Sequence, residues 1–176
     1  RQTDDIRRIV DEFSKFARMP ELRRKNENLS ALIESTVSLQ QAGQPNVLIN
    51  LSQPKLPVVT SVDATLINQA LTNILKNAGE SIETRIQNPT TSNHDGIIEV
   101  SLKNKSDSVV INISDNGVGL PQDRSRLFEP YVTTREKGTG LGLAIVKKII
   151  EEHGGVLKLE DSAPFENTEI IGALIS

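Results

Sequence analysis

The chain has 176 residues and a formal net charge of −3, enough length for one packed domain plus an appendage, since a domain near ~150 residues buries roughly 68–70% of its unfolded surface. It contains no Cys and no Trp, which excludes disulfides and thiolate metal centres, fits a reducing compartment and leaves any metal to oxygen or imidazole ligands. Its mild acidity supplies no general attraction to nucleic acid or anionic lipid, no apolar run approaches the ~20 residues of a membrane span, and Arg1-Gln2-Thr3-Asp4-Asp5 is unlike a signal peptide.

Ile6, Val10, Phe13 and Ala17 recur at alternating steps of four and three residues, with Ile9 and Phe16 beside them, which predicts an amphipathic first helix ended by Met19-Pro20. The chain opens inside this helical pattern without an initiator Met, so a piece of a longer protein is expected. The apolar stripe needs a partner, either its own domain or another helix such as that of a second copy of the chain. Residues 21–28 are polar and charged and read as a linker, so the main domain is expected over 29–176.

Ser30 is placed to cap a helix carrying Leu32, Ile33, Val37 and Leu39, with Gly43 at its end. Two β-rich runs follow, Val47 to Leu51 and Leu56 to Thr60, separated by Ser-Gln-Pro. Asp63 then caps the most periodic helix, whose broad apolar face holds Leu66, Ile67, Ala70, Leu71, Ile74, Leu75, Ala78 and Ile82 and which runs to about Gln87. After the polar loop from Asn88 to Asp95, Ile97 to Leu102 and Val109 to Ser114 predict a hairpin about Asn104-Lys105-Ser106-Asp107. Pro121 to Arg126 could form a short helix, and Phe128 to Lys137, without a clear period, is a candidate lid. Leu141 to Glu152 resumes the helical period, His153-Gly154-Gly155 stops it, and Val156 to Leu159 and Glu169 to Ile175 supply two last strands. Long alternating βαβ units are missing, which favours an α/β two-layer sandwich with a mixed, mostly antiparallel sheet over a doubly wound parallel one.

Two glycine clusters stand out: Asp115-Asn116-Gly117-Val118-Gly119, and Gly138-Thr139-Gly140-Leu141-Gly142-Leu143 at the start of a helix. Closely spaced glycines let backbone amides approach phosphates, and a helix N-terminus faces an anion favourably. Each cluster alone is also an ordinary turn sequence. Neither is a Rossmann or P-loop fingerprint: Leu143 stands where G-x-G-x-x-G needs its last glycine, and no Gly-Lys-Ser/Thr ending is present. Asn73 and Asn77 lie four apart, so their amides share one helix face; alone they could be two solvated side chains, but amide oxygens also suit Mg²⁺, which keeps waters and phosphate oxygens in its shell.

These motifs, in this order, resemble the catalytic, ATP-binding domain of sensor histidine kinases, a member of the Bergerat-fold superfamily that includes DNA gyrase, mismatch-repair ATPases and a heat-shock chaperone. The resemblance spans about residues 29 to 176 and implies a sheet with its helices on one face. It also implies ATP and Mg²⁺ as ligands. Leu71-Thr72-Asn73-Ile74-Leu75-Lys76-Asn77-Ala78 is similar to the N box, implying Asn77 as the Mg²⁺ ligand and Asn73 as support for metal or phosphates, the two counted as the catalytic positions. By the same resemblance Asp115 accepts from the adenine amino group, and Gly117 and Gly119 let the ring lie against the backbone. Phe128-Glu129-Pro130-Tyr131 resembles the F box; Gly138, Thr139, Gly140, Leu141, Gly142 and Leu143 resemble the second glycine box; and Thr133, Thr134, Arg135 and Lys137 fall on lid positions that meet the β/γ-phosphates.

Where the superfamily's ATPases carry a Glu that orients the attacking water, this chain has Asn73, a poor general base, which favours a kinase over a hydrolase. Glu80 and Glu83 fall after Asn77 and read as a solvated face. No His has the acceptor context of the family: His94 sits in a polar loop and His153 follows the last helix. The first helix resembles the second half of the dimerisation hairpin, and the run from Val10 to Pro20 resembles nitrogen-regulation sensor kinases of the NtrY type. The implied partners are ATP, the missing acceptor helix of the parent, a response regulator receiver domain and a second copy through residues 3–18, with no nucleic acid. The implied location is the cytoplasmic portion of a parent anchored in the bacterial inner membrane. A clamping ATPase and a non-catalytic docking module remain the alternatives.

Overall fold

The computed structural model describes residues 20–87, 95–124, 126–133 and 138–163, the backbone of 173–175, and the isolated helical positions Val10 and Ser14. The rest of the predicted first helix, the loop 88–94 with His94, and Thr134, Arg135 and Lys137 lie outside the described residues.

Residues 21–28, read above as a linker, are tied to the domain. Lys25–Asn28 is a strand, β1, paired antiparallel with β3, Val59–Val62, in the register Lys25↔Val62 and Asn28↔Val59. Just before it, the Arg23 amide donates to Asp63 Oδ2 at 3.0 Å and Arg24 Nη2 donates to the Glu152 carbonyl at 2.8 Å. The sequence Lys-Asn-Glu-Asn carries no apolar alternation, because this short edge strand buries almost nothing.

Helix α1, Leu29–Gly43, is capped by Asn28, whose Oδ1 accepts from the Ala31 amide at 3.1 Å, and not by Ser30. Ser30 lies in the first turn, where its hydroxyl accepts from the Val58 amide at 3.0 Å and fastens the helix to the approach to β3. Strand β2, Val47–Ser52, does not pair with β3; the two runs enter different sheets.

Helix α2, Ala64–Ile86, begins as predicted at Asp63, whose Oδ1 accepts from the Thr65 and Leu66 amides at 3.1 and 3.2 Å. Strands β4, Gly96–Asn104, and β5, Val109–Asp115, form the predicted hairpin, closed by a 2.8 Å bond from the Lys105 amide to the Ser108 carbonyl. Residues 121–124 and 126–131 form bends and turns in place of a short helix, with i→i+3 bonds from Leu127 to Arg124 and from Glu129 to Arg126.

Helix α3, Gly142–Glu152, ends where Gly154 turns at φ 77°. The amides of Gly154 and Gly155 fold back onto the Glu151 and Ile150 carbonyls, so Val156 is left exposed and the strand expected at 156–159 begins only at Leu159. This strand, β6, covers Leu159–Asp161, and β7 covers Ala173–Ile175.

The main sheet has the order β2-β4-β5-β7-β6; the β2–β4 pair is parallel and every other pair antiparallel. Helix α2 packs against both α1 and α3, and Ile98, Val100, Leu102 and Ile113 of the sheet share one core cluster with Leu66, Leu75, Ile82, Val146 and Ile149 of the helices. Full burial of such a side chain stabilises by about 1.5–3 kcal/mol relative to exposure. The two-layer α/β sandwich with its mixed, mostly antiparallel sheet is therefore the observed architecture. Among the described residues no helix is long and apolar enough to cross a membrane.

Candidate functional site

Helix α2 brings the site together because it is amphipathic along its whole length. One face, through Leu71, Ile74, Leu75, Ala78 and Ile82, is locked into the core. Asn73 and Asn77 lie a turn apart on the other side and are both half-buried, and Ser81 occupies the next turn, 8% exposed.

Asn77 meets the start of α3. A Cβ on Gly142 would lie 3.6 Å from Asn77 Nδ2 and 4.0 Å from Oδ1, so glycine leaves open space between the amide and the helix end. Leu141 stands at the N-cap position and has no side-chain oxygen for the first-turn N–H groups. An uncapped helix N-terminus beside a hard amide oxygen is a donor set that fits an anion together with a divalent cation such as Mg²⁺. The approach to this helix is held tightly: Gly140 has φ 68°, its carbonyl accepts from the Tyr131 amide at 3.1 Å, and a Cβ there would lie 2.6 Å from the Tyr131 carbonyl carbon. Tyr131 itself has φ 66°, an uncommon conformation for an aromatic residue.

Ser81 meets the other end of the site. Asp115, 5% exposed, ends β5, and its Oδ1 accepts from the Gly117 amide at 2.8 Å, closing the turn that follows. Ser81 Oγ accepts from the Val118 amide at 3.1 Å in the same turn. A Cβ on Gly117 would collide with Ser81 Oγ and stand 2.7 Å from Asp115 Oδ1, so only glycine fits between helix and carboxylate. Gly119 continues the turn at φ 76°.

Asn116, fully buried, fixes the turn from beneath. Its Oδ1 accepts from the Ile97 amide at 2.9 Å and its Nδ2 donates to the Asp95 carbonyl at 2.8 Å, while its own amide bonds to the Ile97 carbonyl at 3.2 Å. Arg85 Nη2 donates to the same Asp95 carbonyl at 3.2 Å; burial pushes the Arg85 pKa down, and the charge of Asp95 opposes that shift. Sequence reading missed Ser81 and Asn116. Ser81 carried no signal beyond its helical spacing from Asn77, and Asn116 was absorbed into a turn motif.

Thus Asn77 and Asp115, which the resemblance assigns to opposite ends of one ligand, are linked through consecutive turns of α2, with Gly142 leaving space beside Asn77 and Gly117 packed closely between Ser81 and Asp115. Thr139 Oγ1 accepts from the Leu141 amide at 3.4 Å just before α3. Leu141 and Leu143 turn their side chains to the core, Leu141 fully buried, so what they can offer a ligand is backbone. Phe128 lies beneath the Lys147 ammonium, 5.3 Å from the ring centroid, which ties the turn at 126–131 to α3. Gly138 and Thr133 are exposed nearby in sequence. His153 is structural: its Nε2 accepts from the Asp63 amide at 3.0 Å and its Nδ1 lies 2.7 Å from the Ile149 carbonyl, which assigns the ring proton to Nδ1.

Residues 62–173 match the family model described as histidine kinase-, DNA gyrase B-, and HSP90-like ATPase, and the chain belongs to this family. Within it, the chain is 52% identical over 163 residues to nitrogen regulation protein NtrY of Azorhizobium caulinodans, a match covering 92% of this chain and 21% of that protein. The chain spans between 21% and 27% of the length of the first such curated relatives. Among solved structures, a nucleotide-free form of the catalytic domain of histidine kinase ThkA aligns at TM-score 0.69 and 27% identity, over 87% of this chain and 92% of that one. Full-length ShkA in complex with AMPPNP aligns at TM-score 0.74 and 23% identity, over 99% of this chain and 35% of that one, a likeness of fold.

Proposed function

We propose that this chain is the ATP-binding catalytic domain of an NtrY-type sensor histidine kinase, which transfers the γ-phosphate of ATP to a histidine of the parent protein outside this sequence. The observation that carries the reading is the bracketing of α2: Asn77 faces the open N-terminus of α3, and one turn on, Ser81 holds the Asp115 turn. A triphosphate at the first junction and a purine at the second satisfy both.

Asp115 accepts from the adenine amino group, and Gly117 and Gly119 keep the wall beside the ring free of side chains. The first-turn amides of α3, with Gly138, Gly140 and Gly142, receive the phosphates. Asn77, supported by Asn73, holds Mg²⁺, which neutralises charge on the phosphate oxygens when bound. Thr133, Thr134, Arg135 and Lys137 contribute hydroxyls and cations from the lid. Phosphoryl transfer of this kind rests on positioning and charge neutralisation more than on covalent chemistry. The neutral amide of Asn73 stands where a hydrolase needs a carboxylate, so water is not activated and the γ-phosphate survives until an imidazole arrives. The phosphoryl group then passes to an aspartate of a response regulator. Residues 3–18 supply half of a dimerisation hairpin, and the parent is anchored in the inner membrane with this portion in the cytoplasm.

Incubation with γ-labelled ATP tests the reading. The chain alone is expected to remain unlabelled, and a segment of the parent carrying the dimerisation helices is expected to become labelled on histidine when the two are mixed. Labelling of His94 or His153 overturns the missing-acceptor reading, and rapid ATP hydrolysis by the chain alone favours the ATPase alternative.

A further inference from the structure

We propose that Ser81 is a positioning residue that sets the preference of the pocket for adenine. The proposal rests on the reading of Asp115 given above. Discrimination by a carboxylate depends on the acceptor oxygens being held where the 6-amino group of the base arrives, and a loosely held carboxylate reorients to suit other purines. Beside the bonds of Asn116 beneath it, this turn is held on the side of the carboxylate by the Gly117 amide on Asp115 Oδ1 at 2.8 Å and on the side of α2 by the Val118 amide on Ser81 Oγ at 3.1 Å. The second crosses from a rigid helix to the loop, and Ser81 is 8% exposed, so its hydroxyl is fixed by the packing of α2. The absence of a Cβ on Gly117 lets hydroxyl and carboxylate approach the same small volume. Truncating Ser81 strips the Val118 amide of this acceptor and opens space beside Gly117, the residue whose amide holds Asp115 Oδ1.

The test is equilibrium competition binding of ATP and ITP, which lacks the 6-amino group, to the full chain with Mg²⁺, for the wild type, S81A and S81T. The wild type is expected to prefer ATP by about tenfold or more, the size of one hydrogen bond to a charged group. S81A is expected to cut that preference to roughly threefold or less through weaker ATP binding alone, with ITP affinity unchanged, and S81T to restore it. Ser81→Cys, close in shape and a poor acceptor, carries the same expectation should the alanine variant not fold. An unchanged ATP/ITP ratio in S81A, or equal loss of both nucleotides, overturns the proposal. A wild type that binds both nucleotides equally, or neither, instead overturns the adenine role of Asp115 on which it rests.

Discussion

Asn77 and Gly142 face each other across the junction of α2 and α3, with a methyl group on Gly142 reaching 3.6 Å from Asn77 Nδ2 and 4.0 Å from Oδ1. Those are ordinary contact distances, so alanine fits the fold while occupying the space assigned to phosphate. Gly142→Ala is therefore expected to melt at or above the wild-type temperature, by up to ~1 kcal/mol from helix propensity, and to bind ATP several-fold more weakly. Gly140→Ala separates the two effects. There a Cβ meets backbone at 2.6 Å with φ at 68°, and a loss of about 1–3 kcal/mol is expected in chemical denaturation.

Asn116→Ala truncates a fully buried side chain that satisfies the half-buried Ile97 amide and is one of the donors to the Asp95 carbonyl. The expected cost is about 2–4 kcal/mol, from stranding the Ile97 donor and losing two hydrogen bonds. Urea unfolding measures it. A change below ~0.5 kcal/mol would mean that water replaces the amide there.

Asp63 gives the domain an acid-sensitive cap. Its desolvation raises the carboxyl pKa, but hydrogen bonds from the Arg23, Leu66 and Thr65 amides outweigh it and leave the pKa below the ordinary 3.8. The unfolded chain then binds more protons than the folded one just below pH 3.8, so this contribution is complete above that pH and is lost as pH falls through the folded value. Asp63→Ala is expected to cost about 1 kcal/mol at pH 7, the usual size for a cap. Its stability is expected to fall less steeply than the wild type's below pH 4 when followed by circular dichroism.

His153 bridges the end of α3 to the start of α2 through both ring nitrogens. His153→Ala is expected to lower stability by about 1–3 kcal/mol without altering the ATP/ITP preference. Thermal melts beside nucleotide titrations read both quantities on one sample.

The elements that bury a regular apolar face were legible in the sequence. Asp63 with its helix and the hairpin about residues 105–108 show their period and their turn chemistry openly. Strand β1 was not, because Lys25 to Asn28 pairs by backbone at an edge and buries no alternating face. Asn28 and Ser30 are equally good caps by chemistry, and the choice fell to the tertiary bond between Ser30 and Val58. The strand expected at Val156 failed because the backbone bonds of Gly154 and Gly155 carry the chain back along α3 first. At the candidate site, the Asn, Asp and Gly positions stand out by spacing and resemblance, and their role remains the proposal made above. Ser81 does not stand out, since one hydroxyl on a helix has no pattern until its partner across the fold is seen.

Calorimetric titration of the wild type, Asn77→Ala and Asp115→Asn with ATP, with and without Mg²⁺, decides whether one ligand, Mg-ATP, lies between Asn77 and Asp115. The wild type is expected to bind more tightly with metal, Asn77→Ala to lose the metal dependence while keeping its fold, and Asp115→Asn to lose roughly tenfold in affinity under both conditions. Absence of binding by the wild type, or two variants that titrate like it, would contradict the account.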